Sequence, residues 1–108
     1  MIIRVMDKHP LELTDGIWRT VLCHTNRLMQ VELLMRKGSS LDAHQHHHDQ
    51  ISYVVRGILN LVVDGQPIVL SAGESCLVRP NQVHSAEALT DLTVIDTFAP
   101  PREDFLQA

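Results

Sequence analysis

The hydrophobic positions of the chain alternate with polar ones and only rarely follow a helical period. In "LMQVELLM", Met29, Val31, Leu33 and Met35 share one face of an extended segment, because successive side chains of a strand point to opposite sides. The segments "ISYVVRG" and "ILNLVVDG" follow and are rich in the β-branched residues that strands favour. The pattern predicts a β-strand in each of these segments.

Turn residues separate the predicted strands. Asp64-Gly65 predicts a hairpin, since glycine readily takes the positive φ that a tight hairpin turn requires. A turn at Ala72-Gly73 divides "QPIVLSAGESCLV" into two strands, and Pro80-Asn81 marks another turn. The last strand is "LTVIDTF", and "REDFLQ" near the C-terminus predicts a short helical turn. About eight short strands indicate an all-β protein, either an antiparallel barrel or a sandwich.

Length, charge and cysteine content narrow the class of protein. The chain has 108 residues, which predicts one domain over residues 1–108. Its net charge of −4 and scattered basic residues exclude a general nucleic-acid binder. The N-terminus lacks the apolar stretch of a signal peptide, and nothing approaches the run of about 20 apolar residues that spans a membrane. We therefore expect a cytoplasmic protein in which Cys23 and Cys76 are buried, reduced thiols.

The stretch "AHQHHHDQ" carries four histidines within five residues. It has three interpretations: a metal site, the remnant of a purification tag, or a polar surface loop. Tags are terminal and unbroken, whereas this cluster is internal and interrupted, so the metal site and the surface loop remain.

Strand geometry favours the metal site. His44 and His46 are two residues apart and project to the same side of an extended strand, while His47 points away. The chain is expected to turn near His47 and His48 before the next strand. His84 lies in another predicted strand, after the Pro80-Asn81 turn. Three imidazoles and the Gln50 amide oxygen that converge in a barrel interior would form an open site for a divalent transition metal. His48 is an alternative ligand if the turn differs.

The wider spacing resembles the two motifs of the cupin superfamily. The first motif covers about residues 38–57 and the second about 73–88, with glutamine where the usual first motif has glutamate. The matching residues are Gly38, His44, His46, Gln50 and Gly57 in the first motif, and Gly73 and His84 in the second. The resemblance implies a small jelly-roll barrel and a metal bound by His44, His46, Gln50 and His84.

The neutral ligand changes the chemistry that the site favours. A glutamate would lower the net charge of a divalent site to +1 and help to stabilise an oxidised metal. Gln50 leaves the charge at +2, which favours Lewis-acid polarisation of a substrate oxygen over oxygen activation. A decayed, metal-free cupin is the alternative, and three retained histidines argue against it.

The C-terminal segment supplies a second group of candidates. Asp96 and Phe98 share one face of the last strand, and Arg102 lies just beyond it. If that face points inward, Asp96 is a candidate general acid or base, with a pKa that burial raises and a nearby cation lowers. Arg102 offers a planar fork for a substrate carboxylate. The alternatives are that Phe98 is simple core and that Arg102 and Glu103 form a surface pair.

A closer resemblance is to the KdgF family of small cupins. It rests on "GIWRTVL", "HQHHHDQISYVVRG" and above all "DTFAPPREDFL", although His47, Asp49 and Arg79 depart from the expected proline, glutamate and proline. The resemblance implies an isomerase-type enzyme that converts 4,5-unsaturated monouronates, products of pectin and alginate breakdown, from the cyclic to a linear keto form. It also implies functional roles for Asp96, Phe98 and Arg102.

Several alternatives stay open from the sequence. The protein could be a metal-dependent dioxygenase that acts on another small organic acid, or a non-catalytic cupin that binds a sugar or a metal. The donor set suits zinc, nickel, manganese and ferrous iron alike. We expect a homodimer, because small cupins often pair through exposed sheet edges, and an unpaired edge favours association.

Overall fold

In the computed structural model, which describes residues 1–106, β-strands form most of the chain. The strands are β1 (Leu11–Thr14), β2 (Ile17–His24), β3 (Met29–Met35), β4 (Ser40–His44), β5 (Asp49–Arg56), β6 (Ile58–Val63), β7 (Gln66–Ser71), β8 (Ser75–Val78), β9 (His84–Ala88) and β10 (Leu92–Ala99). Two short 3₁₀ helices, Val5–Asp7 and Glu103–Phe105, lie near the two ends. The second one confirms the helical turn predicted in "REDFLQ".

The strands form two antiparallel sheets that face each other. The six-stranded sheet has the order β1-β2-β3-β10-β5-β8, and the four-stranded sheet has the order β4-β9-β6-β7. This arrangement confirms the all-β jelly-roll expected from the motifs. The sequence pattern did not reveal β1 and β2. All four residues of β1 are exposed, and burial along β2 does not alternate, so neither strand has the period-2 pattern that marks a half-buried strand.

The predicted alternation and turns are confirmed where the sheets pack together. In β3, all four residues of the predicted inner face are buried. β6 and β7 form the predicted hairpin, and both residues of its turn, Asp64 and Gly65, have positive φ (48° and 81°). The core between the sheets therefore consists of the side chains that the alternation assigned to it.

The inner face of the six-stranded sheet changes from apolar to polar along β5 and β10. Val94 pairs with Val54, and both are buried. Two residues further along, Asp96 pairs with Ser52, and then Phe98 pairs with Gln50. Because polar groups are buried only when hydrogen bonds or ligands compensate them, the polar end of the barrel is where a functional site is expected.

Gly57, which ends the first motif, lies in a crowded position. Its φ is 92°, and a Cβ added there would overlap the backbone carbonyl oxygen of Asp91. Gly38, which begins the motif, has a similar φ of 86° but open space around it. Both positions favour glycine for its backbone, and Gly57 also requires the absence of a side chain.

Two expectations from the sequence concern membrane-spanning segments and the burial of the two cysteines. Within residues 1–106, no helix is long and apolar enough to cross a membrane. Cys23 and Cys76 are both free, as expected, but only Cys76 is partly buried. The expectation of a buried Cys23 is wrong, because the side chain lies near the end of β2, where the strand becomes exposed.

Candidate metal centre and catalytic pocket

His44 and His84 face each other across the pair of strands β4 and β9. His44 is the last residue of β4, His84 is the first residue of β9, and the two are register partners. The register shifts between Leu41 and His44, as at a β-bulge, which re-aims the following side chain. The ring centroids of the two histidines lie 4.3 Å apart.

His46 joins this pair, but not from the strand that was predicted. The expectation that His44 and His46 lie on one strand is wrong, because β4 ends at His44 and His46 belongs to the connection to β5. The chain bends at His47 and His48, as expected. The His46 ring still lies 5.7 Å from that of His44 and 4.9 Å from that of His84. One ligand atom from each of the three lies within 4.8 Å of the others.

The hydrogen bonds of His44 and His84 leave one nitrogen lone pair of each ring free for a metal. His44 Nδ1 lies 2.9 Å from the Asp42 carbonyl, and His84 Nδ1 lies 2.8 Å from the Gln82 carbonyl. In each ring Nδ1–H donates to the carbonyl, as is typical of metal-binding histidines, and Nε2 keeps its lone pair. His84 Nε2 is buried and has no hydrogen-bond partner within residues 1–106.

The charge state of the histidines also suits a metal. Burial, together with the smaller effects of the nearby Arg102 and His84, lowers the pKa of His46 to about 4. Burial lowers the pKa of His84 as well. Both rings are therefore neutral near pH 7, which is the form that binds a metal, and the residues present fit a divalent transition metal ion.

Gln50 completes the candidate ligand set from β5. Its side chain is buried, and Oε1 lies 3.0 Å from His46 Nε2. Neighbouring ligands of one metal ion, each about 2.1 Å from it, also lie about 3 Å apart, so the observed spacing is compatible with shared coordination. The structure thus brings His44, His46, Gln50 and His84 together at the polar end of the barrel.

A buried chain of hydrogen bonds links Gln50 to Asp96. Gln50 Nε2 donates to Ser52 Oγ at 3.0 Å, and Ser52 Oγ donates to Asp96 Oδ1 at 2.6 Å. The sequence reasoning missed Ser52. The available signal was its position two residues after Gln50 on a predicted strand, which places both side chains on the same face.

Asp96 lies on the inner face of β10, which is one of the two orientations that the alternation left open. It is 9% exposed, and burial raises its pKa to about 6 against the opposing effects of the Ser52 hydrogen bond and the Arg102 charge. A carboxyl group with this pKa is present in both protonation states near neutral pH. Asp96 can therefore accept and return a proton.

Arg102 and Phe98 adjoin Asp96 at the C-terminal end of β10. The Arg102 guanidinium carbon lies 5.3 Å from the Phe98 ring centroid and 4.2 Å from that of Phe105. Nε and Nη2 of Arg102 donate to the two carboxylate oxygens of Asp104 at 3.1 and 3.0 Å. The alternative of a surface pair with Glu103 is wrong, because the partner is Asp104 and the Arg102 side chain is only 13% exposed.

These residues surround one cavity of about 190 Å³. Six of the seven predicted site residues line it: His44, Gln50, His84, Asp96, Phe98 and Arg102. The seventh, His46, packs with its ring 5.8 Å from that of Phe98. Phe98 is also part of a small apolar cluster with Met29 and Val31, so it is core on one side and cavity wall on the other.

His48 takes part in a separate group. It is buried, its ring stacks on that of His47 at 4.0 Å, and ligand atoms of His47, His48 and Glu103 lie within 4.8 Å of one another. Neither ring nitrogen of His48 makes a hydrogen bond within residues 1–106. The His48 ring lies 5.2 Å from that of His46, but its ligand atoms are not among those that His44, His46 and His84 bring within 4.8 Å of one another.

Comparison with known proteins agrees with this architecture. A family model described as "Cupin domain" matches residues 31–98. The curated "Pectin degradation protein KdgF" of Dickeya dadantii (strain 3937) is 38% identical over 97 residues, which is 88% of each chain.

Solved structures give the same result. KdgF from Halomonas sp. superposes with a TM-score of 0.93 at 34% identity, and the match covers 97% of each chain. An RmlC-like cupin from Shewanella frigidimarina NCIMB 400 has a TM-score of 0.90 at 38% identity, covering 94% of this chain and 92% of the other. The chain therefore belongs to the cupin superfamily and, within it, to the KdgF family.

Proposed function

We propose that the protein is an isomerase that opens the ring of 4,5-unsaturated monouronates and yields the linear keto acid. The observation that carries this proposal is the buried Asp96 carboxyl, with a pKa near 6, which lines the same cavity as His44, His84 and Arg102. A proton-transfer group, a cationic anchor and a metal-compatible cluster thus adjoin one cavity. The relationship to a pectin degradation protein supports a sugar acid as substrate.

The size and charge of the cavity support a small acidic substrate. A cavity of about 190 Å³ suits a single sugar ring better than an oligosaccharide. Arg102 lowers the pKa values of His46, His84 and Asp96, so its positive charge acts on the whole cavity despite the net charge of −4 for the chain. A carboxylate is attracted to such a locally positive cavity.

Asp96 moves the proton. Ring opening breaks the hemiacetal C–O bond and leaves an aldehyde, and the enol becomes a ketone, so no atom is gained or lost. The ionised Asp96 accepts the proton of the hemiacetal hydroxyl and returns one to the carbon end of the enol. Its pKa near 6 suits both transfers, because neither protonation state is strongly favoured near neutral pH.

Arg102 and Phe98 bind and orient the substrate. Asp104 holds the guanidinium from one edge and the Phe98 and Phe105 rings contact it, so its position is set before the substrate arrives. The groups not engaged by Asp104 bind the substrate carboxylate. The Phe98 ring packs against the sugar face and excludes water.

The proposed metal ligands are His44, His46, Gln50 and His84, and the ion is a divalent transition metal such as zinc, nickel, manganese or ferrous iron. When bound, the ion would supply Lewis acidity towards substrate oxygens. The neutral Gln50 leaves the full +2 charge of the ion available for this purpose, which disfavours a role in oxygen activation.

The proposal includes a homodimer in the cytoplasm. Ile51, Tyr53 and Leu77 lie on the outer face of β5 and β8, and each is between 43% and 48% exposed. Ile51 and Leu77 are register partners, so the apolar side chains form one patch that a second copy can cover. The two free cysteines favour the reducing cytoplasm.

Light scattering coupled to size-exclusion chromatography tests the dimer. Leu77→Lys should yield the monomer, while Val69→Lys, which alters an exposed apolar residue on the other sheet, should leave the dimer intact. A monomeric wild-type protein, or a Leu77→Lys variant that stays dimeric, would contradict this assignment.

The activity is tested on the monomeric products of a pectin or alginate lyase. The metal-loaded protein should accelerate the loss of the conjugated unsaturated-acid absorbance beyond the spontaneous rate, without consuming oxygen. Oxygen uptake would instead indicate a dioxygenase. Thermal stabilisation by the sugar acid without turnover would indicate a binding protein.

A further inference from the structure

Ser52 lies between the candidate metal ligand Gln50 and the candidate acid–base residue Asp96. It is 2% exposed and occupies the inner face of β5, directly opposite Asp96 in register. Its hydroxyl donates to Asp96 Oδ1 at 2.6 Å and accepts from Gln50 Nε2 at 3.0 Å.

The chemistry of the three groups fixes the direction of this chain of hydrogen bonds. An ionised carboxylate only accepts, so the single hydroxyl hydrogen of Ser52 goes to Asp96. The Ser52 oxygen then has only lone pairs to offer to Gln50, which must present its NH₂ group. As a result, the amide oxygen of Gln50 faces the other way, towards His46.

We propose that Ser52 is a positioning residue that aims the Gln50 carbonyl oxygen at the metal centre and holds the Asp96 carboxylate in place. The same arrangement accounts for glutamine at position 50. With a glutamate at position 50, the Ser52 hydroxyl would lie between two carboxylates that both need a donor. Its single hydrogen could serve only one of them, so the other would be left without a hydrogen bond from Ser52. The part that concerns Asp96 rests on the proposed function, whereas the part that concerns Gln50 is a statement about metal binding.

Zinc affinity, measured by competition with a chelating dye, tests the orientation of Gln50. Ser52→Ala should weaken zinc binding about 10- to 100-fold, as is typical when a partner that orients a metal ligand is lost. Ser52→Thr keeps the hydroxyl and should restore affinity to within about 3-fold of wild type. Ser75→Ala, at an exposed serine on β8, is the matched control and should change nothing. If Ser52→Ala does not fold, Ser52→Cys replaces it, because a thiol is a weak donor and acceptor.

A double-mutant cycle with Gln50→Glu separates orientation from a general structural role. The two oxygens of a carboxylate are equivalent, so a glutamate has no wrong orientation for Ser52 to prevent. Removing the Ser52 hydroxyl should therefore cost much less zinc affinity with Glu at position 50 than with Gln. An equal loss in both backgrounds, or no loss in either, would overturn the proposal.

The pH profile of turnover tests the part that concerns Asp96. The Ser52 hydrogen bond lowers the Asp96 pKa, so Ser52→Ala should move the profile to higher pH, and Ser52→Thr should move it back. An unmoved profile would overturn this part. Absence of any turnover on unsaturated uronates, with the zinc results as expected, would contradict the proposed function and leave the role of Ser52 towards Gln50 standing.

Discussion

His44 and His84 come from distant parts of the chain but are register partners on β4 and β9, with ring centroids 4.3 Å apart. Each ring is anchored through Nδ1 to a backbone carbonyl two residues earlier in the chain. The paired strands therefore fix the positions of the rings, and the carbonyls fix their orientation. Such preorganisation favours metal binding because little further ordering is needed.

We expect His84→Ala to lose most of the metal-dependent stability of the protein. Zinc at 100 times its dissociation constant should stabilise the wild-type protein by about 2.7 kcal/mol, because it binds only the folded state. His84→Ala should gain less than half of this at the same zinc concentration, whereas His24→Ala, at an exposed histidine of β2, should match the wild type. Thermal unfolding with and without zinc is the measurement. Equal stabilisation of all three proteins would remove His84 from the ligand set.

We expect Asp96→Asn to lower kcat/KM by about 10²- to 10⁴-fold, the range typical of a lost general acid or base. Asparagine keeps the shape of the side chain but cannot exchange a proton, so metal content should stay unchanged. Asp15→Asn, at an exposed carboxylate, is the matched control. The assay is the loss of unsaturated-uronate absorbance, and a fully active Asp96→Asn protein would exclude Asp96 from the mechanism.

The same substitution should reveal how pH acts on stability through Asp96. Its pKa is raised from 3.8 to about 6 on folding, so the unfolded chain releases this proton first as pH rises. The contribution of Asp96 is therefore fully present below about pH 4 and lost as pH rises to about 6, a change of about 3 kcal/mol. His46, whose pKa is lowered to about 4, acts in the opposite direction over much of this range.

The difference between Asp96→Asn and wild type isolates the carboxyl group. Measured by urea unfolding after removal of metal by a chelator, the variant should gain stability relative to wild type between pH 4 and pH 7. If the difference in free energy of unfolding between variant and wild type does not change with pH, burial does not destabilise the ionised form of the Asp96 carboxyl group.

Arg102→Lys should weaken substrate binding more than it slows the chemical step. Lysine keeps the positive charge but lacks the planar fork that binds a carboxylate through two hydrogen bonds. The expected result is an increase in KM of about 10-fold with a smaller change in kcat, the pattern of lost uniform binding. Arg27→Lys, at an exposed arginine, should behave as wild type. A large fall in kcat with unchanged KM would instead assign Arg102 to the chemical step.

The two glycines of the first motif should differ in their response to alanine. Gly38→Ala should lower the free energy of unfolding by about 1–2 kcal/mol, because a residue with a side chain is strained in the left-handed backbone conformation. Gly57→Ala should cost clearly more, because its Cβ would also overlap the Asp91 carbonyl oxygen. The free energy of unfolding, measured in urea, gives the loss of stability for each variant. Equal losses would show that the backbone near Asp91 moves aside for the added Cβ at little energetic cost.

The alternation of residues predicted the elements that bury one face. In β3 and β10, every second side chain is buried, so hydrophobic spacing alone located both strands. It also put Asp96 and Phe98 on one shared face, which the structure shows to be the inner one. The hydrophobic pattern did not predict β1 and β2, because buried and exposed residues do not alternate along them. Periodicity reveals a strand only when one of its faces is in water and the other is in the core.

The spacing of His44, His46, Gln50 and His84 predicted the candidate ligand set, because ligand types at those intervals resemble a known motif. The sequence did not give the local path of the chain, since β4 ends at His44 and the connection brings His46 back to the cluster. It also left His48 open, which the structure groups with His47 and Glu103.

By itself, then, the sequence determined which residues alternate, where the chain turns and which side chains have the chemistry for a site. Only the tertiary structure decided that Ser52 joins Gln50 to Asp96, that Arg102 pairs with Asp104, and that burial raises the Asp96 pKa. The physical reason is that a side chain's orientation follows from local backbone geometry, whereas hydrogen-bond partners and burial depend on strands that pair across long stretches of chain.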